Sequence, residues 1–187
     1  MNGCSTIADD SRDPYDIDEL ATFDNPRLLP LFRTISEISH RRSVTKQVHA
    51  KKKAQWQLNK TYKSSMAHPL VASFHAHFRQ GFADVVAHSP ADTVNVPMFR
   101  AVNDELHQHH GIEDAYMFPM MRNAHPEALH EIDILESDHR ALVALEKSIL
   151  VDKNRAALVE YVEYLNDHLN REEMITVPYL MDGSIRF

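Results

Sequence analysis

His109-His110-Gly111-Ile112-Glu113-Asp114, running on to Pro119, and His168-Leu169-Asn170-Arg171-Glu172-Glu173, running on to Pro178, are one phrase written twice. Both read H-x-x-x-E-[DE]-x-x-x-x-P, and each is preceded on a helical pattern by an earlier histidine, His75 and His139. Residues four apart stack on one face of a helix. Each phrase therefore brings an imidazole and a carboxylate to the same point. Two such helices facing each other would build a site of nitrogen and oxygen ligands, which suits a pair of transition-metal ions.

The periodicity around the phrases sets the fold class. Four helical segments of similar length follow residue 65, and Pro69, Pro97 and Pro126 suit first turns, where a missing N–H costs nothing. Asp152 and Asn154 are capping candidates for the fourth segment. The first seam reads Val71, His75, Phe78, Phe82, Val85, and the second Phe99, Val102, Leu106, His109, Glu113, Tyr116, Met120. The third reads Ile132, Leu135, His139, Leu142, Glu146, Ile149, and the fourth Leu158, Tyr161, Leu165, His168, Glu172, Ile175, Tyr179. Alternating steps of three and four are the pattern of a bundle core. Short connections favour antiparallel neighbours. The expectation is an all-α protein: an up-down-up-down four-helix bundle over residues 66–187, with an N-terminal extension over 1–65.

With 187 residues, four glycines and nine prolines, the chain has the length for one buried core plus an extension. Its single cysteine, Cys4, excludes an intramolecular disulfide framework and a thiolate zinc cluster. No apolar run approaches a membrane span, and the first residues lack a basic segment followed by an apolar one, so no secretory signal is expected. A net charge of −7 does not suggest a nucleic-acid binder. Charge is uneven, with an acidic start from Asp9 to Glu19 and a basic stretch of Arg41, Arg42, Lys46, Lys51, Lys52 and Lys53. The basic stretch reads as a solvated helix face, with a partner dock or localisation signal as the sharper alternative. Residues 1–25 read as a loose acidic tail. Leu28, Leu29, Leu31, Phe32, Ile35 and Ile38 make an apolar group in an arm packed outside the core. A cytoplasmic location is expected, or a nuclear one through residues 41–53.

Four imidazoles and two carboxylates on apolar seams would cost several kcal/mol for each unpartnered charge. A metal pair neutralises them. Two six-coordinate ions offer about twelve positions. Four histidines and two bridging glutamates fill about eight, and a bridging hydroxide or oxo group about two more, leaving roughly one open on each ion. Within the histidine-rich stretches, His75 is preferred over His77, and His109 over His107 and His110, because only the preferred residues share the seam. Asp114 and Glu173 would point aside, either supporting the ligands from behind or lying as surface charges. Tyr116, Tyr161 and Tyr179 read as packing residues, and His40, His49, His68, His88, His125 and His130 as surface residues or caps.

His75 followed by Phe78-Arg79, the two H-x-x-x-E phrases and His139 resemble the hemerythrin-like (HHE cation-binding) family over about residues 66–181. The resemblance implies that His75, His109, Glu113, His139, His168 and Glu172 ligate a non-haem di-iron centre, with manganese or zinc as alternative metals. Oxygen-carrying hemerythrins place a further histidine one turn before the lone one of the third helix, where this chain has Leu135. That departure turns the expectation from reversible carriage toward binding or sensing of dioxygen, iron or redox state. The implied partner is a small diatomic or peroxide ligand, with a protein partner on the basic arm, and neither nucleic acid nor membrane. The alternatives are a di-iron oxidoreductase acting on peroxide, nitric oxide or ferrous iron, and a metal-stabilised interaction module.

Overall fold

The computed structural model describes residues 35–185, and all secondary structure among them is helical. The acidic tail, Cys4 and the apolar group from Leu28 to Phe32 lie outside the described residues. The chain divides into two units, Met1–Val44 and Thr45–Phe187; the second carries the core and the site described below. None of the described helices is long and apolar enough to cross a membrane.

In chain order the helices are α1 (Ile35–Leu58), α2 (Lys60–Ser64), α3 (Ala67–Pro69), α4 (Ala76–His88), α5 (Val96–Ile112), α6 (Phe118–Ala124), α7 (Leu129–Asp152) and α8 (Arg155–Asp182). A wide π-turn, Leu70–His75, leads into α4, and a second, Glu113–Met117, joins α5 to α6. The helix ends follow their local chemistry. Asn95 caps α5 by accepting from the Met98 N–H, with Pro97 in the first turn, and Asn154 caps α8 by accepting from Ala156 and Ala157. α8 ends at Gly183, whose φ of 77° suits a residue without Cβ. Pro69 departs from expectation: it closes the short α3 and leads into the π-turn rather than opening the long helix.

α4 packs on α5 and on α8, α5 also meets α7, and α7 lies against α8. Gly81 sets the α4–α5 approach, since a Cβ there would fall 2.9 Å from Val102 Cγ1. Between these helices sits a core of Phe78, Phe82, Val85, Phe99, Leu106, Leu142, Ile149, Leu158, Tyr161 and Leu165. Phe82, Phe99 and Tyr161 form an aromatic triangle with ring centroids 5.3–5.8 Å apart. The Tyr161 hydroxyl donates to Asn103 at 2.6 Å, which places both in the core.

The second seam departs from the sequence reading. Its buried positions are Phe99, Asn103, Leu106, His110, Glu113, Met117 and Met121, while Val102 is half-buried and Tyr116 is 66% exposed. Hydrophobicity selects Val102, but Asn103 is the buried residue because Tyr161 satisfies its side chain. Beyond Glu113 the π-turn lodges an extra residue in the helix and carries the buried face from Tyr116 and Met120 to Met117 and Met121.

Candidate metal centre

The six predicted ligands come from five segments of this helical framework. His75 ends the first π-turn, His109 lies in the last turn of α5, and Glu113 opens the second π-turn. His139 lies in α7, and His168 and Glu172 are one turn apart in α8. The structure brings all six together, and adds His110. Their donor atoms converge in two groups: His75, His109, Glu113 and Glu172 in the first, His110, Glu113, His139 and His168 in the second. Within each group the donors lie within 4.8 Å of one another. Glu113 belongs to both groups, Glu172 to the first alone.

The contacts are close without being hydrogen bonds. His75 Nε2 is 3.4 Å from Glu172 Oε2, His109 Nε2 2.8 Å from Glu113 Oε1, and His139 Nε2 3.5 Å from Glu113 Oε2. The Nε2 atoms of His75, His109, His110, His139 and His168, and both oxygens of Glu113 and of Glu172, are buried without a hydrogen-bond partner. Buried polar atoms almost always have partners, and an unpartnered one costs about 1–3 kcal/mol. So many orphaned lone pairs aimed at one place fit a cation.

Electrostatics agree. Burial pushes the Glu113 carboxyl up to about 8 and raises Glu172 well above the usual carboxylate range. Burial lowers His75 to about 4 and His168 to about 3, and also lowers His109, His110 and His139. Neutral imidazoles with free Nε2 lone pairs are the form that a metal requires. A cation would replace the protons that the metal-free carboxyls retain.

The opposite edge of three imidazoles is held by carboxylates. His75 Nδ1 donates to Glu173 Oε1 at 2.9 Å, His139 Nδ1 to Asp114 Oδ1 at 2.9 Å, and His168 Nδ1 to Asp138 Oδ2 at 3.2 Å. Such bonds fix the tautomer that leaves Nε2 free toward the centre of the cluster, as a metal ligand requires. Two of these carboxylates are themselves buried beside arginines: Arg79 Nη1 donates to Glu173 at 2.6 Å, and Arg171 Nη1 lies 2.6 Å from Asp138. Tyr164 adds a 2.7 Å hydrogen bond to Asp138.

His110 corrects the sequence reading, which set it aside for lying off the seam. It is 6% exposed, and its ring stacks on His139 with centroids 3.8 Å apart and planes 10° apart. It occupies the seam position seven residues before Met117, whereas His109 flanks the seam and reaches the centre from its edge. His49 is a second correction: it is buried and pairs with Glu173. His77 lies at the surface with Glu105, and His107 pairs with Glu146. Tyr161 points to Asn103, and Tyr179 stacks on His125. No spacing signal marks Asp138; its position four residues before Leu142 looks like any half-buried helical aspartate.

The hemerythrin HHE cation binding domain model matches residues 66–180. No curated protein and no solved structure matches the chain. The family match covers more than half of the sequence and contains all seven converging side chains, so the chain belongs to the hemerythrin HHE cation-binding family.

Proposed function

We propose that this member of the hemerythrin HHE cation-binding family holds two iron ions, one in each donor group, and uses them to bind or sense dioxygen, iron or redox state. α4, α5 with α6, α7 and α8 form the up-down-up-down bundle around the ions in this reading. The observation that carries it is the set of orphaned imidazole and carboxylate atoms from seven converging side chains, six of them buried, with Glu113 common to both groups. Family and donor chemistry together support iron; manganese and zinc accept the same donors.

Four protein donors in each group leave about two positions on a six-coordinate ion. Bound iron would supply open coordination positions and a redox couple. The chain's own part is to orient and to shield. Glu173, Asp114 and Asp138 fix the imidazole edges, and Phe78, Phe118 and Leu135 pack the surroundings with apolar surface. Leu135 is fully buried and contributes no donor, but His110 supplies from α5 the nitrogen that the sequence shows missing from α7. With side chains this buried, the accessible ligand is small: a diatomic molecule or peroxide. His109, at 13% side-chain exposure beside the half-exposed Phe74, is the most solvent-reached of the donors.

Protein purified without added metal is expected to contain two irons per chain. Its reduced form is expected to develop a visible absorption band on exposure to air. An unchanging spectrum would leave only the metal-stabilised interaction module, and steady turnover of peroxide would establish the oxidoreductase instead. One ion per chain, or zinc in the isolated protein, would refute the di-iron centre.

A further inference from the structure

The family domain begins at residue 66, yet a side chain from before it reaches the back of the candidate centre. His49 Nε2 donates to Glu173 Oε2 at 2.5 Å, and the other oxygen of the same carboxylate receives His75 Nδ1 and Arg79 Nη1. Glu173 is fully buried, and three donors converge on its two oxygens. Each of its oxygens has a partner, and the partner of Oε2 is His49.

The same segment is anchored by aromatic packing. The His49 ring meets Trp56 edge-on at 6.0 Å, Trp56 stacks on Tyr62 at 6.5 Å, and Tyr62 meets His68 at 5.6 Å. Val48, Trp56 and Tyr62 are buried, while Leu58 is 86% exposed. Residues 45–58 therefore lie as a strap that reaches the carboxylate behind His75 through the bond from His49.

The structure assigns His49 as a positioning residue for the metal centre, and residues 45–58 as a strap whose docking and metal occupancy favour each other. The inference rests on the metal-binding reading above. With His49 seated, Glu173 is held from both sides and presents a fixed acceptor to His75. Without it, Oε2 loses its donor, the carboxylate can turn, and the His75 ring loses the bond that orients Nε2. Ligand-orienting partners of this kind typically change metal affinity by about 10–100-fold. Coupling is reciprocal: whatever strengthens metal binding through the strap must also hold the strap more firmly when metal is bound.

Trp56 is the chain's single tryptophan and sits in the strap, so the full-length protein carries its own reporter. The test is anaerobic ferrous iron competed against a coloured chelator, with wild type, His49→Phe and His49→Gln. Phenylalanine keeps the packing on Trp56 without a donor, and glutamine restores an N–H donor. Iron affinity is expected to fall by about tenfold or more in His49→Phe and to recover in His49→Gln. Equal losses in both variants, or no loss in either, would overturn the assignment. The second measurement needs no variant: removing iron from the wild type should shift Trp56 emission toward that of a solvent-exposed indole and speed amide exchange over 45–58. An unmoved emission and unchanged exchange would overturn the strap. Wild type that binds no metal ion would overturn the metal-binding reading itself, whereas iron binding indifferent to His49 would overturn this inference alone.

Discussion

The two donor groups share Glu113 but are built differently. The first sets two imidazoles against two carboxylates, while the second has three imidazoles and only the shared carboxylate. The first is reached by solvent at His109, while in the second each imidazole is at most 6% exposed. Their supports differ as well. His75 rests on Glu173 with Arg79 and His49, whereas His168 rests on Asp138 with Arg171 and Tyr164. A pair of ions held here would not be equivalent. The carboxylate-rich, more open half would stabilise the harder, more highly charged ion and receive an incoming ligand, and the imidazole-rich half would hold a divalent ion in a drier setting.

The shared carboxylate offers the largest effect. Glu113→Gln is expected to remove metal from both halves, because each group loses a ligand, whereas Glu172→Gln should spare the second group. Metal analysis of the two purified variants checks this. Equal, complete loss from both variants would mean that both glutamates bridge and that the halves are more alike than the geometry shows. Without metal, Glu113→Gln should melt higher than wild type under the same conditions. The substitution removes a buried carboxyl that must otherwise stay protonated or be buried as an unpaired charge.

A smaller effect separates the halves from the other side. His110→Ala removes an imidazole from the second group alone and also the ring stacked on His139. Iron content is expected to fall toward one ion per chain, with an accompanying loss of thermal stability, since a bound ion stabilises the fold that binds it. His107→Ala, three residues earlier in the same histidine-rich run but paired with Glu146 away from the centre, should leave both unchanged. If His110→Ala retains full metal, the second half is a three-donor site and Leu135 marks a ligand that nothing replaces.

These residues show what the sequence can disclose. The repeated phrase and the seams point to His75, His109, Glu113, His139, His168 and Glu172, and these side chains converge in the structure, because residues four apart on a helix share a face. His110 was not legible. The sequence seam matches the buried face at Phe99, Leu106 and Glu113 but takes Val102 and His109 where the buried residues are Asn103 and His110, and the hydrogen bond from Tyr161 explains why the polar Asn103 is inside. The π-turn at Glu113–Met117 then moved Tyr116 out and Met117 in, and no propensity marks a π-turn in advance. His49 was illegible for a different reason: its partner Glu173 is distant in sequence, and a lone histidine in a basic, exposed-looking helix gives no sign of a buried acceptor. Charge pattern reads surfaces well and long-range pairs poorly.

The smallest effect tests the supports behind the imidazoles. Asp114 and Asp138 both accept from an imidazole Nδ1, at 2.9 and 3.2 Å, so distance alone would rank Asp114 first. Burial reverses the order. The Asp114 side chain is 46% exposed, so water can replace what Asn would fail to accept, and His139 is also held by stacking on His110 and Phe118. Asp138 is 7% exposed at its side chain and carries Arg171, Tyr164 and His168 together, with its carboxylate held well below the usual range despite burial. Asp138→Asn would leave the Arg171 guanidinium with Asp167, 3.1 Å from its Nε, as its remaining carboxylate partner in a site that water does not reach, and breaking a buried pair costs up to about 3–5 kcal/mol. Asp138→Asn is therefore expected to lower both melting temperature and iron affinity, the latter by about 10–100-fold. Asp114→Asn should lower affinity by less than about tenfold and leave the melting temperature near wild type. Chelator competition and thermal melts of the two variants measure this. The reverse order would mean that hydrogen-bond length, rather than exclusion of water, governs how firmly the imidazoles of the second group are held.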